Sequence, residues 1–353
     1  MNRIYEIWPV MVAGALLFCP PLLAAESLSL NLPSPRAQVV SAHNALATAA
    51  FKPVPEIVDA MVNQAITNLT AKPTVAEAWA SLAGTNETFG LKVYTAPGSR
   101  TGTRPAVAAA VIKGLLEAGV PTNHIIVWDR HEADLRRAGY FELAERFGIR
   151  VEGAAEAGYD AQTFYEAAMI GNLVYGDLEF GKKDEGVGRK SFVSKLVSQQ
   201  ITKIINIAPV LNHNAAGVAG NLFSLAMSSV DNTVRFEVTP ARLATAVPEI
   251  YALPALGDRV VLNISDALIC QYEGEDRGLL HYSVDLNEIR LSRDPVALDA
   301  LALQDLERSR KARSQVELPS NWELYKNAAL LELGVADLKH IDITTLKPLR
   351  GQP

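Results

Sequence analysis

Cysteine is scarce in this chain: 353 residues hold two, Cys19 and Cys270. Thiolate zinc sites and iron–sulfur clusters need several cysteines, so neither is expected as an intrachain cofactor. Histidine is no better placed for metal. There are six, scattered, with no His-x-x-x-His pair. Spacing leaves open only a mixed Asp/His site assembled in three dimensions, and no metal ligand is assigned. The Gly-Lys-Ser/Thr of a P-loop is absent. Positive charge is not in surplus: 33 Lys and Arg face 39 Asp and Glu, a net charge of −6. Bulk attraction to a polyanion is excluded, and no nucleic-acid partner is expected. Low-complexity tracts and internal repeats are missing. What remains is globular composition, 49% hydrophobic and 20% charged, with length for one large or two ordinary domains.

The first segment, MNRIYEIWPVMVAGALLFCPPLLAAES, has an early Arg3, an apolar run to Ala25 and the small residues Ala24 and Ala25 before Glu26. This is the layout of a secretory signal peptide over 1–25, with a periplasmic or secreted address. Its removal leaves no stable membrane span and no partner thiol for Cys270, hence no intrachain disulfide. Retained, the run approaches the ~20 apolar residues of a membrane anchor. Lipoprotein processing at Cys19 is opposed by the bulky Phe18. Cys270, within ALIC, reads as a small buried hydrophobe.

Residues 26–36 read as a linker, and 37–84 as an N-terminal helical segment packed on the core. Ile57, Val58, Met61, Val62, Ala65, Ile66 and Leu69 recur at helical spacing. Thr74 with Glu77 forms a capping box. Beyond residue 85 the pattern alternates. Strands are expected at 91–96, 124–130 and 149–153, with helices at 106–118 and 132–147 between them. That alternation implies an α/β domain over 85–350, with a largely parallel or mixed central sheet and crossover helices. Further strands are expected at 173–180, 203–210, 259–270 and 287–292. Helices are expected at 192–200, 218–230, 240–253, 295–312 and 322–333.

Four stretches in this order carry a family resemblance: LKVYTAPG…TRPAVAAAVIKGLLEAGV with IIVWDR; KIINIAPVLNHNAAGVAGN; VVLNISDAL; and LLHYSVDLNEIRLSRDPVALDALA. Together they resemble the bacterial family called domain of unknown function 362, over roughly residues 55–345. The resemblance implies a fold more than an activity. The chain departs from the pattern of the family. The usual lysine–polar–histidine is Leu211, Asn212 and His213 here, and the lysine of the next helix corresponds to Phe223. Lys92 is retained, but Tyr94 replaces the asparagine two residues after it. The usual pocket lysines are thus missing, as are the cysteine-rich motifs of some members.

Several residues are candidates for a site on the sheet rim. GSRTGTRP (98–105) follows a strand and opens a helix, where backbone N–H groups favour anions, and Arg100 and Arg104 add donors. Asp129 ends the second strand beside Arg130 and His131, placed for acid–base work or for capping the next helix. His213, flanked by Asn212 and Asn214, suits proton transfer. Asp266, in the apolar VVLNISDAL, and Asp299, inside an apolar helix, are charges that need partners. Asp294 before Pro295 reads as a helix cap. GVGRKS (186–191) reads as a mobile basic loop. The expected function is binding, and possibly conversion, of a small anionic ligand. Lys92, Arg100, Arg104, Asn212 and Asp299 would line the site, and His213, Asp129 and Asp266 would supply catalysis. The alternatives are a non-catalytic binding or scaffold protein and a metal-dependent hydrolase or transferase. No organic cofactor is assigned.

Overall fold

The computed structural model describes residues 35–82, 84–182, 186–313 and 320–348. The signal-peptide segment and nearly all of the linker lie outside the described residues. Among those described, no helix is long and apolar enough to cross a membrane.

The chain opens with strand β1 (Ala37–His43), followed by a two-residue ladder, β2 (Thr48–Ala49) with β3 (Lys52–Pro53). Helices α1 (Pro55–Thr70) and α2 (Val75–Ala80) come next. The Thr74 side chain accepts from the Glu77 N–H, as its capping sequence requires. Then β4 (Phe89–Val93), α3 (Pro105–Glu117), β5 (Ile125–Asp129), α4 (Glu132–Arg137), α5 (Tyr140–Phe147) and β6 (Arg150–Gly153) alternate. A hairpin of β7 (Tyr159–Asn172) and β8 (Val187–Ser194) interrupts the alternation. Beyond it run β9 (Lys203–His213), the short β10 (Gly217–Val218), α6 (Asn221–Ser229) and α7 (Pro240–Tyr251). The last elements are β11 (Val260–Gln271), β12 (Ser283–Ser292), α8 (Pro295–Arg313), α9 (Trp322–Leu330) and β13 (Ile341–Leu346).

The main sheet runs β13-β1-β12-β11-β9-β4-β5-β6, with β10 paired to β9. Along that path β12 is antiparallel to both neighbours and the other pairings are parallel. From β4 the chain steps outward through β5 and β6, then returns to β9 on the other side of β4 and steps away through β11. The order therefore reverses between β4 and β9, the switch point beside which open α/β sheets bind ligands at their carboxyl ends. Helices α1 to α5 cover one face of the sheet, and α6 to α9 the other.

Three sequence expectations are corrected. Residues 37–83 are not helical throughout, because 37–43 is a strand inside the sheet. The alanine-rich stretch reads as helix locally, but Val39 and Val40 lie between β12 and β13, whose partners come from the far end of the chain. Residues 173–180 form turns, and the strand is 159–172 instead. Its Ala, Glu, Gln and Met favour helix, and the β8 ladder overrides them. The helix expected at 192–200 is the end of β8 followed by one wide turn at Leu196–Gln200.

Candidate functional site

Strand alternation sets the rim. Leu91 and Val93 of β4 point into the apolar layer under α1 and α3, so Lys92 between them points to the face covered by α6. Its ammonium is fully buried, 2.9 Å from Asp129 Oδ1, and donates to Ser224 Oγ at 2.8 Å. The Tyr94 and Trp128 rings flank it at 5.7 and 5.6 Å. Asp129 also accepts from Thr95 N–H at 2.7 Å, Thr95 Oγ1 at 2.6 Å and Ser228 Oγ at 2.8 Å. Burial lowers the Lys92 pKa, and Asp129 offsets this only in part. Burial pushes the Asp129 carboxyl up, but Lys92 and the Thr95 donors outweigh it and hold it below its ordinary value. Asp129 does not cap the following helix, whose cap position is His131.

A second buried pair joins the 98–105 loop to β11. Arg104 Nη1 is 2.9 Å from Asp266 Oδ1, and Asp266 Oδ2 accepts from the Arg104 N–H at 2.9 Å. The carboxylate thus sits at the amino end of α3, in the place anticipated for an external anion. Of the loop's two arginines, only Arg100 is exposed. Thr103, whose hydroxyl accepts from Tyr94 N–H and donates to Ile207 O, ties the loop to the sheet.

Asp299 is buried in α8 and accepts from Asn221 N–H at 2.6 Å, Asn221 Nδ2 at 3.1 Å and Leu222 N–H at 2.9 Å. It caps α6 from outside, and burial pushes its carboxyl up to about 7 despite those donors. A Cβ on Gly220 would lie 2.2 Å from Asp299 Oδ1, so glycine is what admits the carboxylate. Asp299 therefore positions α6 and does not line the rim. Asp294 likewise caps α8, accepting from Ala297 N–H.

His213 ends β9, half-buried. Its Nδ1 accepts from Ala216 N–H at 3.0 Å, so in the neutral ring the proton is on Nε2, which is left as a donor. Burial lowers its pKa, with Glu275 opposing. The ring lies 4.2 Å from that of Phe223, which in turn meets Tyr94 edge-on at 6.5 Å. Tyr94 donates to Asp276 at 2.9 Å, and Asn212 Oδ1 accepts from Glu275 N–H at 3.0 Å. The 273–278 turn thereby closes over the ends of β4 and β9.

The structure thus gathers Lys92, Asp129, Asn212 and His213 around the switch point, with Arg100 and Arg104 on the adjoining loop and Asp266 on β11 beneath it. Lys92 and Arg104 are already neutralised by carboxylates. Sequence reading missed Ser224 and Ser228, whose i,i+4 spacing on α6 was the available signal. It also missed Tyr94 with Asp276, which nothing local announces. Clefts of about 560 and 710 Å³ lie elsewhere, beside Arg293 and Trp322, and no residue of this rim lines either. Among the described residues no group of three or more His, Cys, Asp or Glu is arranged to hold a metal. Cys270 is buried, and burial pushes its thiol up to about 12.

A model of the family described as domain of unknown function (DUF362) matches residues 91–304, a span holding every candidate residue above. No curated protein matches the chain. A crystal structure of a protein from Thermotoga maritima is similar at a TM-score of 0.38 and 12% identity, covering 75% of this chain and 60% of that one. This chain therefore spans less than two thirds of that protein.

Proposed function

For this chain, which belongs to the DUF362 family, we propose a binding function: it takes a small anionic molecule at the carboxyl rim of its sheet, beside the switch point between β4 and β9. The observation that carries this reading is the half-buried His213, whose Nδ1 is held by the Ala216 N–H so that its Nε2–H is left as a donor. Arg100, exposed on the neighbouring loop, supplies the charge. The two buried ion pairs serve as a fixed floor. They hold the rim in shape without offering Lys92 or Arg104 to the ligand, which favours binding over acid–base chemistry. The signal-like layout of residues 1–25 supports a periplasmic or secreted address for this activity.

Native mass spectrometry of protein recovered from the periplasm tests both points. The expected mass lacks residues 1–25 and carries a small adduct that leaves on denaturation. The adduct should vanish in an Arg100→Ala, His213→Ala double variant that melts like the parent. A bare chain, or an adduct indifferent to both substitutions, overturns the rim site. A scaffold without a ligand is the second reading, favoured by Phe223. That side chain stands where the resemblance places a lysine, and it fills the space under His213. A bare chain recovered in stable complex with another protein would select it.

A further inference from the structure

Six of the ten exposed large apolar side chains among the described residues fall on two neighbouring segments. They are Ile170, Val174, Tyr175 and Phe180 at the β7–β8 tip, and Val234 and Val238 after α6. Scattered singly they would need no explanation, but gathered they do. Tyr175 is 92% exposed and meets Phe180 edge-on at 6.0 Å. From Ala167 to Gly181 no charged side chain is exposed, because Asp177 is buried and Glu179 is half-buried.

The tip is held in shape from beneath. Asp177 accepts from Val174 N–H and Asn232 N–H, each at 2.8 Å. Asp231 accepts from Leu178 N–H at 2.7 Å and Phe192 N–H at 2.5 Å. Arg235 donates to Met169 O at 2.5 Å and Ser191 Oγ at 2.9 Å, and the Asn232 side chain donates to Lys190 O at 2.8 Å. Two buried carboxylates and a buried guanidinium thus pin the backbone of both segments and leave the apolar side chains facing water. An arrangement that rigid lowers the ordering cost of binding. The sequence that follows, 182–190, carries four basic residues, Lys182, Lys183, Arg189 and Lys190, against Asp184 and Glu185. Among the described residues Lys182 and Arg189 are exposed, and Glu237 is the exposed acid beside Val234 and Val238.

We propose that this tip docks the protein onto an anionic lipid surface. An aromatic-bearing turn with no exposed charge from Ala167 to Gly181, followed by a stretch with a surplus of basic residues, matches the bilayer interface, where tyrosine sits at headgroup depth and basic residues meet anionic lipid. The tip offers projecting apolar side chains, which suits a soft planar partner. The proposal uses none of the rim residues, so it stands or falls apart from the ligand.

The test is co-sedimentation of the full mature chain with vesicles of phosphatidylglycerol and phosphatidylethanolamine, compared with phosphatidylcholine alone. Binding to the anionic vesicles is expected, weakening with salt. A Tyr175→Ser, Phe180→Ser variant should bind about tenfold or more weakly, since two apolar side chains no longer leave water. A Lys182→Glu, Arg189→Glu variant should lose the preference for anionic lipid. Both substitute exposed side chains, so melting and circular dichroism should match the parent. Wild-type protein left in the supernatant, or variants that pellet like the parent, would overturn the proposal. So would light scattering that shows the tip holding two copies together while vesicles are ignored, which would assign the surface to a second copy of the chain.

Discussion

The two faces of the central sheet are built on different principles. Towards α1 to α5, strands β4, β9, β11 and β12 present Leu91 and Val93, Ile205 and Ile207, Leu262 and Ile264, Ile289 and Leu291. Towards α6 and α8 the same strands present Lys92, Asn206, Asn263 and Ser265, Arg290 and Ser292, all buried. The first face is held by area removed from water, which has no direction. On the second face most groups need a named partner. Lys92 has Ser224, Asn206 donates to Asn221 O at 2.8 Å, and Arg290 lies 2.6 Å from Asp305. Directional bonds thus fix the pose of α6, and the rim depends on that pose through Phe223, Ser224 and Ser228.

The largest expected effect that sharpens this contrast is at Asp129. Asp129→Ala strands a fully buried Lys92 and removes the acceptor for Thr95 and Ser228, so urea unfolding should show a loss of about 3–5 kcal/mol. A change indistinguishable from a conservative core substitution would break the contrast. Next comes Asp299. Its folded carboxyl is raised to about 7, above its unfolded value, so the folded chain keeps a proton that the unfolded chain has released. That stabilisation is full at low pH and is lost as pH climbs from about 4 through about 7. Asp231, raised to about 6 by burial, acts in the same direction over a narrower window. The urea midpoint should therefore fall with rising pH in the wild type, and less steeply in Asp299→Asn. Parallel curves would show that Asp299 ionises freely. The smallest effect belongs to the apolar face, where Ile264→Val should cost about 0.5–1.5 kcal/mol and leave ligand adducts untouched.

Much of the fold was legible because its causes are local. Thr74 with Glu77, Asp294 with Pro295, and the strand–helix alternation from Phe89 to Gly153 each declare themselves within a few residues. β1 was not legible. Its neighbours β12 and β13 are supplied from beyond residue 280, and AQVVSAH, buried at four successive positions, shows no alternation of its own. The site was half legible. A carboxylate in an apolar run announced that Asp266 needs a cation, and its place on the rim pointed to the loop arginines. That Lys92 and Arg104 are closed off by Asp129 and Asp266 is a matter of approach distance, which residue type does not encode.

The sequence by itself determined the alternation of elements, the helix caps and the burden of buried charge, because these follow from side-chain chemistry and short-range backbone sterics. Only the tertiary structure decided which charges meet. Arg104 and Asp266 are 162 residues apart, and Asp299 reaches the start of α6 across 78. Such pairings exist once chain reversal at the switch point brings distant strands side by side. In a dry interior each charge must then find whichever partner the packing has placed within reach.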